Sequence, residues 1–121
     1  MFHADSNEEG GILTMSFAQH VDAQEMGQCL AKVEHLLKDM KPGFRLMTDL
    51  SSLESMDPDC ATDLGAMMDL CDQKGIKAVL RVIPDPQKDI GFALLSHFHY
   101  GPNVELSTYE SLADAISSIA H

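Results

Sequence analysis

The sequence predicts a single-domain α/β sandwich with a mixed, mostly parallel β-sheet and about four α-helices. Three observations predict the α/β class. Short hydrophobic strand candidates alternate with amphipathic helix candidates in the order ββαβαβαβα, which argues for helices packed on a sheet. Each helix candidate is bracketed by start and stop signals. The 121 residues, 45% of them hydrophobic and 22% charged, suit one domain with one ordinary core.

The elements follow in order. Phe2–Asp5 forms a short edge strand, "SNEEGG" turns the chain, and Ile12–Phe17 alternates apolar with smaller polar residues, as a hairpin partner should. "VDAQEMGQCLAKVEHLLKDMKPG" then reads as a helix. Asp22 and Glu25 make a capping-box-like pair, and Met26, Leu30, Val33, Leu37 and Met40 repeat as one apolar stripe. Pro42-Gly43 ends it. Phe44–Leu50 is a strand followed by a short loop, and a second helix opens at Asp57-Pro58-Asp59. Its stripe is Cys60, Leu64, Met67, Met68 and Cys71. Ile76–Ile83, between Gly75 and Pro84, has the short β-branched character of a buried strand. "DPQKDIGFALLSHFHY" supplies a third helix, with Ile90, Leu94 and Phe98 four apart. "VEL" at Val104–Leu106 is a last strand. Ser111 and Asp114 then start a closing helix with the stripe Leu112, Ala115, Ile116 and Ile119.

Charge and composition exclude several functions. The formal net charge is −11, from 19 Asp and Glu against 8 Lys and Arg. Such a field repels phosphate backbones and anionic membranes, so nucleic-acid binding and direct membrane insertion are not expected. No apolar run approaches the roughly 20 residues of a membrane span. The N-terminal stretch lacks the basic flank and apolar core of a signal peptide. Cys29, Cys60 and Cys71 are odd in number and form no CxxC pair. They suit a reducing cytoplasm better than a disulfide framework.

The start of the second helix is favourable at each position. The Asp57 side chain can cap it, for about 1 kcal/mol. Pro58 suits a first turn where its missing N–H costs nothing. Asp59 places negative charge at the positive end of the helix dipole. The run "DLSSLESMDPDCATDLGAMMDLCDQKG", Asp49–Gly75, resembles the signature region of STAS domains, the family of bacterial anti-sigma factor antagonists. That pattern is a strand ending in Asp-Leu-Ser, a short loop, then Met/Ile-Asp-Ser-Ser-Gly-Leu opening a helix that closes in Lys/Arg-Gly. The likeness continues through Ile76–Ile83 to "YESLADAI", and so covers most of the chain. Carried over residue by residue, Asp57 matches the motif's Asp, while the two serines become Pro58 and Asp59. The glycine becomes Cys60 and the leucine Ala61. No hydroxyl remains at either serine position, so the phosphorylation found in relatives cannot occur there. Asp59 is then either a permanent, weaker stand-in for phosphate, or a residue of a domain without that switch. Capping chemistry favours the second reading.

The resemblance implies a non-enzymatic binding module. Its partner surface would lie at the helix start, through Asp57, Pro58, Asp59, Cys60, Thr62 and Asp63. Implied partners are an anti-sigma factor or kinase-like protein, or another STAS-type protein; a homodimer is compatible. A STAS subunit of a lipid- or anion-transport complex, and a small-ligand sensor, remain as alternatives. No cofactor is called for. The sequence holds no GxSxG, P-loop, GxGxxG or HExxH motif. A receiver-type phosphoacceptor at Asp49 lacks the acidic pair and late lysine it needs. His97 and His99 share a face on a strand, but on a helix they point about 200° apart and cannot chelate together. No metal site is therefore expected. Cys60 lies on the apolar stripe among Asp57, Asp59 and Asp63, so it reads as a buried small hydrophobe rather than a reactive thiol.

Overall fold

The structure, a computed structural model, describes residues 1–85 and 99–119. Its order is β1 (Phe2–Asn7), β2 (Ile12–Val21), α1 (Ala23–Leu37), β3 (Arg45–Met56), α2 (Cys60–Lys74), β4 (Ala78–Val82), β5 (Glu105–Tyr109) and α3 (Leu112–Ile119). The strands form one sheet in the order β1-β2-β3-β4-β5. β1 pairs antiparallel with β2, and every later neighbour is parallel. The mixed, mostly parallel α/β architecture is therefore as expected, with three helices among the described residues. The third expected helix, over Asp85–Tyr100, falls almost wholly outside them; His99 is helical.

Alternation along the strands decides which layer covers which face. Leu13, Met15 and Phe17 of β2, and Leu46, Thr48 and Leu50 of β3, are all buried. They share the face that carries α1 and α2, against Met26, Cys29 and Val33 of α1 and Leu64, Met67 and Cys71 of α2. The stripe expected of α1 is buried at Met26, Val33, Leu37 and Met40, while Leu30 is only half-buried and Cys29 takes a core place instead. Every residue of β4 is buried, because helices lie on both sides of it. α3 contacts β4 and β5. It lies on the opposite face, where Ala78 and Leu80 meet Ser118 and Ile119.

Two strands run further than their sequence suggests. β2 continues to Val21 and β3 to Met56, beyond the expected ends at Phe17 and Leu50. The extensions pair with each other across register shifts at Ser16/Ala18 and Gln19/His20. The pattern is hard to read because these bulges break the period of two. Leu50 and Leu53, three apart, are both buried. Gln19 takes φ 61, a left-handed conformation rare for a residue with a side chain. At the other end of the sheet, Gly75 closes α2 with φ 93. A Cβ there would lie 3.0 Å from the Pro42 side chain, so both space and conformation call for glycine.

Leu53→Ala should lower the unfolding free energy by about 2–5 kcal/mol, since Leu53 is fully buried. Ser52→Ala, at the exposed neighbouring position, should change it by less than about 0.5 kcal/mol. Urea denaturation of both variants checks this; equal effects would mean that the extension of β3 is not part of the core.

Candidate functional site: the start of the second helix

The ends of β2 and β3 and the beginnings of α1 and α2 meet at one corner. A single carbonyl organises it. Val21 O accepts from the Asp57 amide at 2.9 Å and from Cys60 Sγ at 3.6 Å. The next residue, Asp22, caps α1 through its side chain, accepting from the Glu25 amide at 2.8 Å. This is the cap the Asp22–Glu25 spacing predicts.

The α2 start differs from its expected chemistry. The Cys60 and Ala61 amides donate to the carbonyls of Asp57 and Pro58, at 3.0 and 3.1 Å. The chain therefore makes a tight turn over Pro58-Asp59, and the regular helix begins at Cys60 with Asp59 in the cap position. Asp59 makes no side-chain capping hydrogen bond. Nor does the Asp57 carboxylate cap the helix; it turns to His20, with Oδ1 3.0 Å from Nε2. The other imidazole nitrogen, Nδ1, lies 2.6 Å from Ser55 Oγ. With Nε2 protonated, the ring donates to Asp57 and accepts from Ser55. Sequence reasoning missed this triplet because its members stand 35 residues apart and carry no periodic signal. Both partners are open to water, the side chains of His20 and Asp57 being 52% and 45% exposed. The pair therefore contributes position more than stability.

The expected partner residues fall into two groups. Pro58, Asp59 and Thr62 are exposed, and Asp57 and Asp63 are half-buried, on one acidic corner. A Cβ on Gly27 of α1 would sit 3.5 Å from Asp63 Oδ2, which places Asp63 in the seam between α1 and α2. Cys60 does not share the surface. It is 1% exposed, as a small hydrophobe on the stripe should be, and its side chain cannot reach a partner. Burial, then the charges of Asp57 and Asp22, push its thiol up in pKa.

Further along α2, His99 Nδ1 is 2.8 Å from Asp69 Oδ1. Its ring covers Gly65, where a Cβ would lie only 2.6 Å from Nε2. His99 is thus a packing and hydrogen-bonding residue of the helix layer, whereas His97 lies outside the described residues. Behind α2, Thr48, Arg81 and Tyr100 line a small void of about 10 Å³ among apolar side chains. Nothing in the strand pattern singled out Arg81. Burial pushes the Tyr100 phenol up in pKa, as does Cys71, while Arg81 pulls it down. Among the described residues, no three His, Cys, Asp or Glu are gathered closely enough to hold a metal ion. No helix among them is long and apolar enough to cross a membrane.

No protein-family model matches the chain, and no curated protein does. Solved structures do. A Shewanella loihica protein of the DUF3478 family, described as having a SpoIIAA-like fold, superposes with a TM-score of 0.70 at 16% identity, over 98% of this chain and 92% of its own. An anti-sigma factor antagonist from Mycobacterium paratuberculosis gives 0.60 at 19% identity, over 100% and 94%. A chain from the Pseudomonas aeruginosa complex of diguanylate cyclase SiaD with its activator SiaC gives 0.55 at 15%, over 90% and 93%. The fold is therefore the SpoIIAA-like, STAS-type fold that the Asp49–Gly75 signature suggests.

The buried thiols give a pH test. Burial raises Cys29 and Cys71 from about 9 to about 12. A thiol raised in the folded state keeps its full contribution below the unfolded pKa and loses it as pH rises towards the folded one. Stability should fall between pH 9 and 11 by about 1.4 kcal/mol per pH unit for each thiol. The double variant Cys29→Ala/Cys71→Ala should lose that part of the slope in urea titrations; an unchanged slope would show that these thiols ionise freely.

Proposed function

We propose that this chain is a non-enzymatic protein-interaction module that docks a regulatory protein through the start of α2, without serine phosphorylation at the usual site. The observation that carries the reading is the acidic corner itself. Asp59 is exposed and makes no capping bond, on a helix start fixed by the Val21 carbonyl and the Asp57–His20 contact. A carboxylate spent on capping would be explained by the fold; this one is left for solvent or a partner. With a net charge of −11, the surface suits a partner with a basic rim, whose approach it would steer. The likeness to an anti-sigma factor antagonist and to a chain of an activator–cyclase complex supports a regulatory protein as that partner. Pro58 and Asp59 stand where relatives would carry the switch serine, so docking here would be governed by partner supply or by charge already in place.

A photo-crosslinking residue at position 62, in protein expressed in its native source, should capture one partner that can then be purified. Asp59→Lys with Asp63→Lys should weaken its binding at least about tenfold, chiefly through the association rate and most at low salt. Unchanged affinity in that variant would refute the docking surface. Intact-mass analysis of the native protein tests the absence of a switch: a phosphate on Ser51, Ser52, Ser55 or Thr62 would overturn it.

A further inference from the structure

The last helix does not bury the stripe its sequence displays. Ala115 is buried, but Leu112 is 40% and Ile116 50% exposed. They look onto a trough beside α3, because that helix contacts β4 and β5, and among the described residues no other helix contacts this face of β1, β2 and β3, whose Ile12, Thr14, Ser16, Met47 and Asp49 stay half-buried. Register explains its floor. Asp5, Thr14 and Met47 lie in one row across three strands, and His3, Ser16 and Asp49 in the next. One stretch of the trough, of about 370 Å³, runs between Ile12, Met47, Ile116 and Ile119, with Asp5 on its rim. A second, of about 190 Å³, shares Thr14 and Met47 and continues to Leu112 and Asp49. Its cationic neighbour is Arg45, opposite Ile12 in the adjoining row and beside Ile119 at the end of the trough away from Asp49; among the described residues, no Lys or Arg lines the trough between. Glu8 and Glu9, exposed on the hairpin turn, extend the negative charge past Asn7.

We propose that this trough docks an amphipathic helix of a protein partner, with its apolar stripe downward and Lys or Arg along its edges. Apolar side chains exposed in a line on a small acidic domain mark an interaction site. Leu112 to Ile119 rise about 10 Å along α3, the length over which a second helix presents apolar residues at i, i+4 and i+7. Asp5 on β1 and Asp49 on β3 lie in adjacent rows, on opposite sides of the trough. Each has one carboxylate oxygen engaged locally, by the Ser6 amide and by Ser51 respectively, leaving the other for a cation. Charge selects among occupants. A second copy would bring −11 against −11, and an anionic lipid surface would meet the same repulsion. A basic helix is attracted. This surface lies on the sheet face opposite α1 and α2, so it is independent of the α2 corner.

The test titrates the ¹⁵N-labelled full chain with a synthetic peptide of about 14 residues, Leu at helical spacing and Lys elsewhere. Its mirror in charge, Glu replacing Lys, serves as control. The Lys peptide should shift the amides of Ile12, Thr14, Met47, Leu112 and Ile116. Ile116→Lys and Asp5→Lys, both at exposed positions, should each weaken it by about tenfold. Shifts centred on Pro58–Asp63, or equal binding of the Glu peptide, would overturn the proposal. So would a dimer in sedimentation that Ile116→Lys dissolves, which would assign the trough to a second copy. Binding of phosphatidylcholine vesicles abolished by the same variant would assign it to lipid instead.

Discussion

The parallel pairing of β2 with β3 is the constraint on which the other features depend. It extends from Ile12↔Arg45 to Val21↔Met56, and both of its ends are closed by hydrogen bonds. At one end Gly11 O accepts from the Arg45 amide at 2.8 Å; at the other Val21 O accepts from Asp57. Because the two strands run the same way, the helices after them start from the same edge of the sheet. The positive ends of α1 and α2 therefore converge where Asp22, Asp57, Asp59 and Asp63 gather. Carboxylates so crowded would repel one another in isolation. Two helix N-termini partly offset that repulsion, at roughly 0.3–1 kcal/mol for each well-placed charge. The acidic corner is a consequence of the β2–β3 ladder as much as of composition.

The layer order was legible in the sequence for a physical reason: each helix announces itself locally. Asp22 caps α1, Ser111 accepts from the Asp114 amide at 3.1 Å to start α3, and Gly75 ends α2. These are contacts within a few residues, and spacing alone encodes them. The strand extensions were not legible, since "SSLESM" becomes a strand only by pairing with Ala18–Val21 across two irregular registers. Arg81 was equally invisible. A cation in an all-buried strand is settled by contacts remote in the chain.

At the α2 corner the sequence placed the helix start and misassigned the chemistry of its carboxylates. Asp-Pro-Asp reads as a helix start capped by Asp57, and the turn does form there, but the carboxylates are used differently. Asp57 has a choice between the amides of its own helix and an imidazole delivered by β2. Gln19, in its left-handed conformation, brings His20 beside it. The Cys60 and Ala61 amides are already satisfied by backbone carbonyls in the tight turn. That removes the incentive for a side-chain cap. With it goes the argument that capping alone accounts for Asp59, and a functional reading of that carboxylate gains weight from the loss.

The docking proposed at the α2 start would be most effective if little had to be ordered on binding, and α2 is held along its whole length. Its first turn hangs from Val21 through Cys60. Its middle is overlain at Gly65 by the His99 ring, which a methyl group would displace. Its later turns are tied by Asp69 to His99 and by Asp72 to the Gly101 amide at 2.9 Å. If a partner docks at the helix start as proposed, Gly65 would support that docking without touching the partner. A larger residue there would push His99 away, release the Asp69 contact and loosen the helix on which Asp59 and Asp63 are presented. The effect on binding would come through the geometry of that helix, with the charges of the corner unchanged.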